Sequence, residues 1–418
     1  MHSKPIKAQT VAAKIKNILN NTTDYKSSLQ ARGEQIAEHS ALPTLILGAI
    51  TLPVLGPGSA ATILLSSFGA QMRVVAPISI LNFLKMASED SILIKDGRAL
   101  ELLYRVDTVV FDKTGTLTQE QPYVKAIHIC DDQTENEILR YAAAAEYKQK
   151  HPIALGILQE AENRHLDLPM IDEANYEIGY GLKVRLDDKV IRVGSIRFMT
   201  MENIIIPPSI HTLQSTSLDQ GASLVYVAIN EQLSGAIELR ATIRPEAKQV
   251  IDNLHQRGMT IVIISGDHEK PTQQLAQELG IDQYFAETLP EHKAELIEKL
   301  QKEGKSVCFV GDGINDSIAL KKANVSISLR GASSIATDTA QVILMDESLK
   351  QLPLLFDLAN RLEKNMRTGF VTAMIPGVLC VGGVYFFHIG VITAGILYNL
   401  SLGAGVGNAM LPKLRNSR

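Results

Sequence analysis

One aspartate in this chain stands where a carboxylate could act as a nucleophile. Residues 112–118 read DKTGTLT and directly follow a short apolar, β-rich run that ends at Phe111. A carboxylate at the end of a strand can attack phosphorus and form a covalent intermediate. The backbone N–H groups of the turn that follows can cradle phosphoryl oxygens. The pattern therefore predicts phosphoryl transfer to Asp112.

A second acidic loop offers ligands for a metal ion. Residues 311–316 read GDGIND and follow another apolar run. Asp312 is placed to share a magnesium ion with Asp112, because carboxylate oxygens are hard ligands that suit a hard cation. Asn315 and Asp316 belong to the same loop, and we include them in the predicted site.

Two further loops offer groups that can bind an anionic phosphoryl group. Ser265, Gly266 and Asp267 follow a third apolar run, and they offer a hydroxyl and a backbone N–H group to a phosphoryl group. Lys293 lies on the turn of residues 290–293 and offers the positive charge that phosphoryl transfer requires. The loops are therefore predicted to converge on one site.

An open parallel sheet would bring these loops together. Residues 106–111, 260–264 and 306–310 are short, apolar and β-rich, and each run ends in a loop that contains Gly or Asp. Helical patterns at residues 244–257 and 291–302 lie between them. This alternation predicts an α/β fold whose active site lies at the carboxyl ends of the strands.

A long insertion separates the first two of these strands. Residues 122–240 contain their own Tyr-Val-Ala-Ile and Lys-Val-Ile-Arg-Val runs, which indicate a separate, smaller α+β domain. We assign residues 88–121 and 241–350 to the α/β domain that carries the insertion.

The overall charge and the cysteines exclude several classes of protein. The chain has 418 residues, with 41 Lys and Arg against 45 Asp and Glu, and its net charge is −4. This near-balance argues against a nucleic-acid-binding protein with a strongly basic surface. Cys130, Cys308 and Cys380 are widely spaced, which excludes a disulfide scaffold and a CxxC metal site.

Two stretches of the chain lack charged residues altogether. Residues 41–72 and 370–412 contain no Asp, Glu, Lys or Arg. Each stretch is longer than the roughly 20 residues of one membrane span. Each also contains a break, at residues 55–58 (LGPG) and at residues 388–390 (HIG). We therefore predict two helical hairpins, with four transmembrane helices in all.

The basic residues near these hairpins predict their orientation. The connections within the hairpins contain no Lys or Arg, whereas basic residues flank the hairpins at Lys4, Lys7, Lys14, Lys16, Lys26, Lys413, Arg415 and Arg418. The positive-inside rule then places both termini and the middle of the chain in the cytoplasm.

The resulting organisation has one charge that needs an explanation. We predict a cytoplasmic stalk (1–40), a transmembrane hairpin (41–87), a stalk helix (351–369), a second hairpin (370–412) and a cytoplasmic tail (413–418). Arg73 would fall within the second span. Its side chain then either faces a polar cavity or a polar partner, or the helix is shorter and the side chain extends to the membrane–water interface.

The motifs also resemble those of a known family. DKTGTLT, SGD and GDGIND, in this order, resemble the phosphorylation-domain motifs of P-type ATPases, which are built on the Rossmann-like haloacid dehalogenase fold. The resemblance implies that Asp112 is phosphorylated from ATP. It further implies catalytic roles for Lys293, Ser265 and Thr114, and Mg²⁺ held by Asp112, Thr114 and Asp312.

Thr114 also argues for a persistent phosphoaspartate. In related phosphatases, a second aspartate lies two residues after the nucleophile and acts as an acid and base, and here that position is Thr114. Without this group the phosphoaspartate should persist, as a transport cycle requires and a simple phosphatase does not.

The insertion narrows the resemblance to one subfamily. Glu146, His151-Pro152 and the glycines Gly179 and Gly181 are similar to the nucleotide-binding set of heavy-metal-transporting P-type ATPases. In that subfamily the histidine and the glutamate contact adenine, and the glycines let the backbone approach the nucleotide. The insertion is therefore expected to be the nucleotide-binding domain.

Two features of the family are missing or altered. The chain has no Thr-Gly-Glu sequence, which in the family belongs to an actuator domain that activates water to hydrolyse the phosphoaspartate; residues 32–34 read Arg-Gly-Glu and are expected to be surface. The Cys-Pro-Cys triplet that ligates a soft metal corresponds here to residues 68–70, Phe-Gly-Ala, which contain no thiol. The first spans and the actuator domain are therefore expected to be absent from this chain.

Three hypotheses remain open at this point. The first is a heavy-metal P-type ATPase of the bacterial inner membrane, which uses ATP and Mg²⁺ to move a metal cation. The second is a degenerate or split-subunit relative that binds ATP and relies on a separately encoded actuator half or does not transport. The third is a membrane-anchored phosphatase of the same fold, which Thr114 and the set in the insertion disfavour.

Overall fold

The computed structural model describes residues 28–66, 69–169, 173–177, 181–186, 189–311, 316–329 and 339–416. The chain divides into two compact units. Among the described residues, unit 1 contains those up to Asp107, residues 300–309 and those from Leu320 onward. Unit 2 contains residues 108–299 and 310–319.

The helices and strands alternate through the middle of the chain. The helices are α1 (Ser28–Leu64), α2 (Met72–Glu89), α3 (Arg98–Leu103), α4 (Glu135–Glu146), α5 (Pro152–Asn163), α6 (Ile196–Met201), α7 (Pro208–Asp219), α8 (Ala247–Gln256), α9 (Glu269–Leu279), α10 (Pro290–Lys302), α11 (Ser317–Lys322), α12 (Gln351–Phe387) and α13 (Val391–Asn416). The strands are β1 (Ile92–Ile94), β2 (Thr108–Asp112), β3 (Tyr123–Ile129), β4 (Glu173–Glu177), β5 (Gly181–Leu186), β6 (Lys189–Gly194), β7 (Ala222–Ile229), β8 (Gln232–Arg240), β9 (Thr260–Ile264), β10 (Gln283–Phe285), β11 (Val307–Val310), β12 (Val325–Leu329) and β13 (Val342–Leu344).

Parallel strands form the part of unit 2 that carries the predicted active site. β2 pairs with β9 in parallel, from Thr108 opposite Thr260 to Asp112 opposite Ile264, and β10 pairs with the other edge of β9. Every residue of β2 is buried, as expected for a strand covered on both faces. The predicted α/β arrangement is confirmed.

The insertion folds as an antiparallel sheet with helices on both faces. Its six strands lie in the order β3-β8-β7-β6-β5-β4. Alternate side chains of β7 point to opposite faces, so Val225 and Val227 join the core with α4 and α5, while Tyr226 and Ala228 join the core with α6 and α7. This is the α+β domain that the sequence predicts.

Unit 1 contains the remaining strands and the long apolar helices. Its strands lie in the order β1-β13-β12-β11, with β12 parallel and β1 antiparallel to β13. The helices α2, α12 and α13 exchange side-chain hydrogen bonds: Ser79 donates to Asn365 at 2.8 Å, and Asn365 and Asn408 each donate to the backbone carbonyl of the other.

The predicted turn in the first apolar stretch is confirmed. Gly56 has φ +84° and ψ 173°, which interrupts α1, and a Cβ added to Gly48 would lie 2.7 Å from Leu64 Cδ2. Residues 48 and 64 would be about 24 Å apart along a straight helix. The chain therefore reverses at Gly56, and residues 28–55 and 57–64 form two arms of a hairpin.

The predicted second span of this hairpin is discontinuous, which corrects one expectation. The helix ends at Leu64 and α2 begins at Met72, with Gly69 at φ +78° between them. Arg73 is therefore not inside a continuous span but in the first turn of α2. Its side chain is exposed, and its Nε lies 3.6 Å from Glu34 Oε1.

A second correction concerns Glu34, which the sequence assigns to the surface. Glu34 is only 9% exposed, and Gln30 Nε2 donates to its Oε1 at 3.2 Å. Its neighbour Gly33 packs directly against Gly69, since a Cβ on Gly69 would lie 2.9 Å from the Gly33 carbonyl oxygen. The sequence could not show this contact because the two glycines meet only after the chain reverses.

The predicted break at residues 388–390 is confirmed, whereas four membrane spans are not. α12 ends at Phe387, and His388 follows at φ +53°. Within the described residues, two helical segments are long and apolar enough to cross a membrane, Gln30–Leu64 and Gln351–Phe387. α2 has only 18 residues and carries Arg73, Lys85 and Glu89, while α13 carries polar residues along an otherwise apolar sequence.

Candidate active site

Asp112 and Ser265 lie at the same edge of the parallel strands. Asp112 is the last residue of β2 and pairs with Ile264, the last residue of β9, so Ser265 begins the adjacent loop. Both residues are buried. Strands of equal register that end together place their following loops side by side, which is the arrangement that the sequence predicts.

Lys293 joins two carboxylates at this edge. Its Nζ donates to Asp112 Oδ1 and, at 2.7 Å, to Asp316 Oδ1. All three side chains are buried, and Lys293 is 6% exposed. Burial lowers the pKa of Lys293, but the charges of Asp112 and Asp316 together outweigh burial, so this pKa lies above its ordinary value. Lys293 is therefore a cation at physiological pH.

The loop after Asp112 is held by an arginine that the sequence does not assign to the site. Gly115 has φ +75°, and Arg244 Nη2 donates to its carbonyl oxygen at 2.9 Å. The Arg244 backbone N–H also donates to the Leu117 carbonyl at 2.9 Å. Arg244 therefore orients the backbone that would cradle phosphoryl oxygens. The Arg-Pro pair at 244–245 is the only sequence signal for this role.

A second ion pair links the loops of Asp112 and Ser265. Lys113 Nζ contacts Asp267 Oδ2, and the Asp267 backbone N–H donates to Ser265 Oγ at 3.1 Å. Burial lowers the pKa of Lys113 against the opposing charge of Asp112. Gly266 and Thr114 are exposed, so they lie at the open side of the loops.

Asp312, one of the predicted magnesium ligands, and Asn315, another predicted residue of the site, lie outside the described residues. Among the residues that the structure describes, no group of three or more His, Cys, Asp or Glu side chains is arranged to hold a metal. The carboxylates of Asp112 and Asp316, both in contact with Lys293, are oxygen donors of the type that Mg²⁺ prefers. The donors present thus fit this ion.

A separate cavity in the inserted domain is lined by three of the predicted nucleotide-binding residues. Its volume is about 310 Å³, and Glu146, His151 and Gly181 line it together with Ser195. The rest of the lining is largely apolar: Ile153, Leu182, Val193, Gly194, Leu224 and Val225. An apolar cleft with a few polar groups is the usual form of a small-molecule site. Gly179 lies outside the described residues, and the sequence did not predict Ser195.

Glu146 and His151 lie next to each other in the lining of this cavity. His151 Nε2 lies 3.1 Å from Glu146 Oε2, and His151 Nδ1 accepts a hydrogen bond from the Ala154 backbone N–H at 3.2 Å as it caps α5. Burial raises the pKa of Glu146 to about 7 and lowers the pKa of His151. Burial therefore shifts both groups toward their neutral forms.

Close packing leaves no room for a side chain at Gly181. A Cβ at this position would lie 2.3 Å from Phe198 Cδ1 and 2.7 Å from the Val193 carbonyl oxygen. No side chain fits between this strand and the Phe198 ring. The structure thus adds close packing to the expected role of Gly181 in letting the backbone approach a ligand.

Comparisons with known proteins agree with this architecture. Residues 106–324 match the family model of haloacid dehalogenase-like hydrolases. A copper-exporting P-type ATPase of Vibrio cholerae is 31% identical over 94% of this chain and 43% of its own length. A zinc-exporting P-type ATPase of Mycobacterium marinum is 32% identical over 96% of this chain and 55% of its own length. The chain spans about half the length of these curated relatives.

Solved structures show the same relationship. The crystal structure of a zinc-transporting PIB-type ATPase in an E2.Pi state superposes with a TM-score of 0.78 at 26% identity, covering 96% of this chain and 67% of that one. The catalytic domain of a CPx-ATPase superposes with a TM-score of 0.53 at 28% identity, covering 65% of this chain and 98% of that domain. The chain therefore belongs to the haloacid dehalogenase-like hydrolases, and its homologues are heavy-metal-exporting P-type ATPases.

Proposed function

We propose that this chain transfers the γ-phosphoryl group of ATP to Asp112, as the catalytic part of a heavy-metal-transporting P-type ATPase. The observation that carries the proposal is the buried contact of Lys293 with Asp112 and Asp316 at the strand ends. Such a site keeps a carboxylate nucleophile beside a fixed cation. Preorganised charge of this kind is the main catalytic device of phosphoryl transfer.

The reaction assigns a separate task to each group. A carboxylate oxygen of Asp112 attacks the γ-phosphorus while the bond to the oxygen of the leaving ADP breaks. Lys293 stabilises the charge on the transferred group, and Ser265 and the backbone of the loop held by Arg244 orient its oxygens. Asp112, Thr114 and Asp312 would hold Mg²⁺, which would neutralise phosphate charge.

Two further features complete the proposed cycle up to the phosphoenzyme. ATP binds with its base in the cavity that Glu146, His151 and Gly181 line. Thr114, which is exposed and carries no acid or base, leaves the phosphoaspartate intact after transfer.

The proposed setting is a membrane, with the catalytic units on the cytoplasmic side. Two apolar helical segments support this, and α2 and α13 would complete two hairpins with four spans. We propose the bacterial inner membrane and a transition or heavy-metal cation as the transported ion, since the relatives are bacterial exporters of copper and zinc.

Labelling with radioactive phosphate tests this proposal. Membranes that contain the protein are incubated with γ-labelled ATP and Mg²⁺, with and without copper, zinc or manganese. We expect acid-stable, hydroxylamine-sensitive label on the wild type and none on Asp112→Asn. A wild-type protein that takes up no label under any of these conditions would rule out the proposal.

A second candidate function is ATP binding and phosphorylation without transport by this chain alone. It is favoured by two sequence features: there is no Thr-Gly-Glu loop, and residues 68–70 carry no thiol. Hydrolysis through an actuator loop then requires residues outside these 418. In the same experiment, label that forms but does not decay supports this candidate, and decay restored by a separate actuator half supports a split enzyme.

A further inference from the structure

The side-chain amide of Gln351 joins three segments of the chain. Gln351 is the first residue of α12 and is 6% exposed. Its Nε2 donates to the Asp90 carbonyl oxygen at 2.8 Å, to the Ser91 carbonyl oxygen at 3.0 Å and to Asp346 Oδ2 at 3.1 Å. These acceptors belong to the end of α2, the residue before β1 and the loop after β13. One buried side chain thus bonds the junction of two long helices with two strands.

The three acceptors determine the orientation of this amide. An amide nitrogen donates and an amide oxygen only accepts, so a flipped amide would place Oε1 against two carbonyl oxygens and a carboxylate. In the observed orientation Oε1 is buried and, among the described residues, has no hydrogen-bond partner. A buried acceptor without a partner is costly. The bonds that Nε2 donates are therefore the interactions that place the Gln351 side chain.

The same junction is bonded to the sheet of unit 1. Ser91 has φ +58°, and its carbonyl oxygen also accepts the Met345 N–H at 2.9 Å. From there β1 and β13 pair, with Ile92 opposite Leu344. The sheet continues through β12 to β11, and β11 leads along the chain into the loop that carries Asp316. Strand pairing therefore connects the junction to a strand that precedes an active-site loop.

Further contacts make α2 and α12 an antiparallel pair. Ser79 donates to Asn365 Oδ1 at 2.8 Å, and a Cβ added to Gly369 would lie 2.9 Å from Val75 Cγ1. Asn365 and Gln351 are about 21 Å apart along a straight helix. The two helices are thus joined at the sheet and again farther along their length. A pair bonded at separated points moves as one body, because rotation about one contact would break the other.

We propose that Gln351 is a positioning residue that couples this sheet to α2 and α12, so that phosphorylation of Asp112 shifts both helices. This role rests on the proposed phosphorylation of Asp112. Gln351 acts through the backbone of Asp90 and Ser91, which it holds against the start of α12. Without its donors, the end of α2 is free to separate from α12, whereas the side chains around Asp112 are unchanged. Phosphorylation and helix movement then become independent.

Substitutions at this position separate the donors of Gln351 from its volume. Gln351→Met keeps a side chain of similar size and flexibility but donates no hydrogen bond. Gln351→Lys supplies three N–H donors, which suit two carbonyl oxygens and the carboxylate of Asp346. Lys350→Met is the matched control, since Lys350 is exposed at the neighbouring position. Coupling through the donors predicts a defect in Gln351→Met alone.

A fluorescent probe beyond the far end of α12 measures the coupling. In a Cys130→Ser background, Cys308 and Cys380 are buried, and a Cβ added to Gly390 meets no atom within 4 Å. Gly390→Cys in this background is the parent protein, and it carries an environment-sensitive fluorophore. The full chain in detergent then receives γ-labelled ATP and Mg²⁺. In one sample, the label reports phosphorylation of Asp112 and the fluorescence reports movement of α12.

We expect both label and a fluorescence change from the parent protein, from Gln351→Lys and from Lys350→Met. Gln351→Met should keep its label and lose the fluorescence change. If Gln351→Met does not fold, Gln351→Asn takes its place, since its amide is one methylene short of the acceptors.

Several results would overturn the coupling role while leaving the proposed phosphorylation intact. They are a full fluorescence change in Gln351→Met, loss of the change in Gln351→Lys, loss of label in a folded Gln351→Met protein, and a parent protein that takes up label without any fluorescence change. A parent protein that takes up no label would instead overturn the proposed function, and the coupling role with it.

Discussion

Lys293 is the residue on which the charge balance of the active site depends. It contacts the buried carboxylates of Asp112 and Asp316, and no sequence pattern indicated that Asp316 would be its second partner. Without the lysine, two carboxylates would share a buried site with like charges. The Lys293 side chain is therefore expected to affect both the free energy of unfolding and the phosphorylation of Asp112.

Replacing Lys293 tests that link. Lys293→Met should lower the free energy of unfolding by about 3–5 kcal/mol, because it leaves buried carboxylates without their cation. It should also abolish phosphorylation of Asp112. Thermal unfolding in detergent and phosphate labelling measure the two effects.

The control for this prediction lies on the same helix. Lys299 is exposed on α10, and Lys299→Met should change neither property. Adding Asp316→Asn to Lys293→Met removes one of the two buried negative charges and should restore part of the stability, but no labelling. Equal stability of Lys293→Met and the wild type would contradict the buried ion pairs.

At the scale of elements, the discontinuity between α1 and α2 depends on two glycines. Gly69 has φ +78°, a conformation in which a side chain is strained, and its Cα faces the Gly33 carbonyl oxygen. Glu34 and Arg73 approach each other beside this contact. The close approach of two backbones therefore joins the start of α1 to the start of α2.

Gly69→Ala should disrupt this junction. The left-handed conformation costs about 1–2 kcal/mol for alanine, and the clash with Gly33 adds to that cost. We expect a lower midpoint of thermal unfolding in detergent. Gly58 lies in the arm of residues 57–64, where an added Cβ meets no atom within 4 Å, so Gly58→Ala should be tolerated. A similar loss in both variants would argue against the specific contact.

At the scale of the whole molecule, the charge pattern predicts how the chain lies in a membrane. The turn at residues 388–390 is free of Lys and Arg, whereas basic residues occur before the first hairpin and after the second. The positive-inside rule then places the turn outside the cytoplasm and the inserted domain within it.

Cysteine labelling tests this orientation. In a Cys130→Ser background, the remaining Cys308 and Cys380 are buried. Gly390→Cys should react with a membrane-impermeant maleimide in intact cells. Glu162→Cys, on the exposed face of α5, should react only after the cells are opened. Labelling of Glu162→Cys in intact cells would reverse the proposed topology.

The sequence by itself predicted that Asp112 follows a strand, that strands and helices alternate, and that the chain turns at Gly56 and at residues 388–390. These features are local: a strand ends where its apolar run ends, and a glycine-containing break such as residues 55–58 or 388–390 favours a turn. The loop that follows each strand therefore identifies Asp112 and Ser265 without any knowledge of packing.

Only the tertiary structure decided which distant groups meet. Arg244 binds the carbonyl of Gly115, 129 positions earlier, and Lys293 binds Asp112, 181 positions earlier, while Glu34 becomes buried beside a break in the chain. Such contacts depend on sheet register and chain reversal, which no local pattern encodes. For the same reason the raised pKa of Glu146 follows from its burial among apolar strands rather than from its own neighbours in sequence.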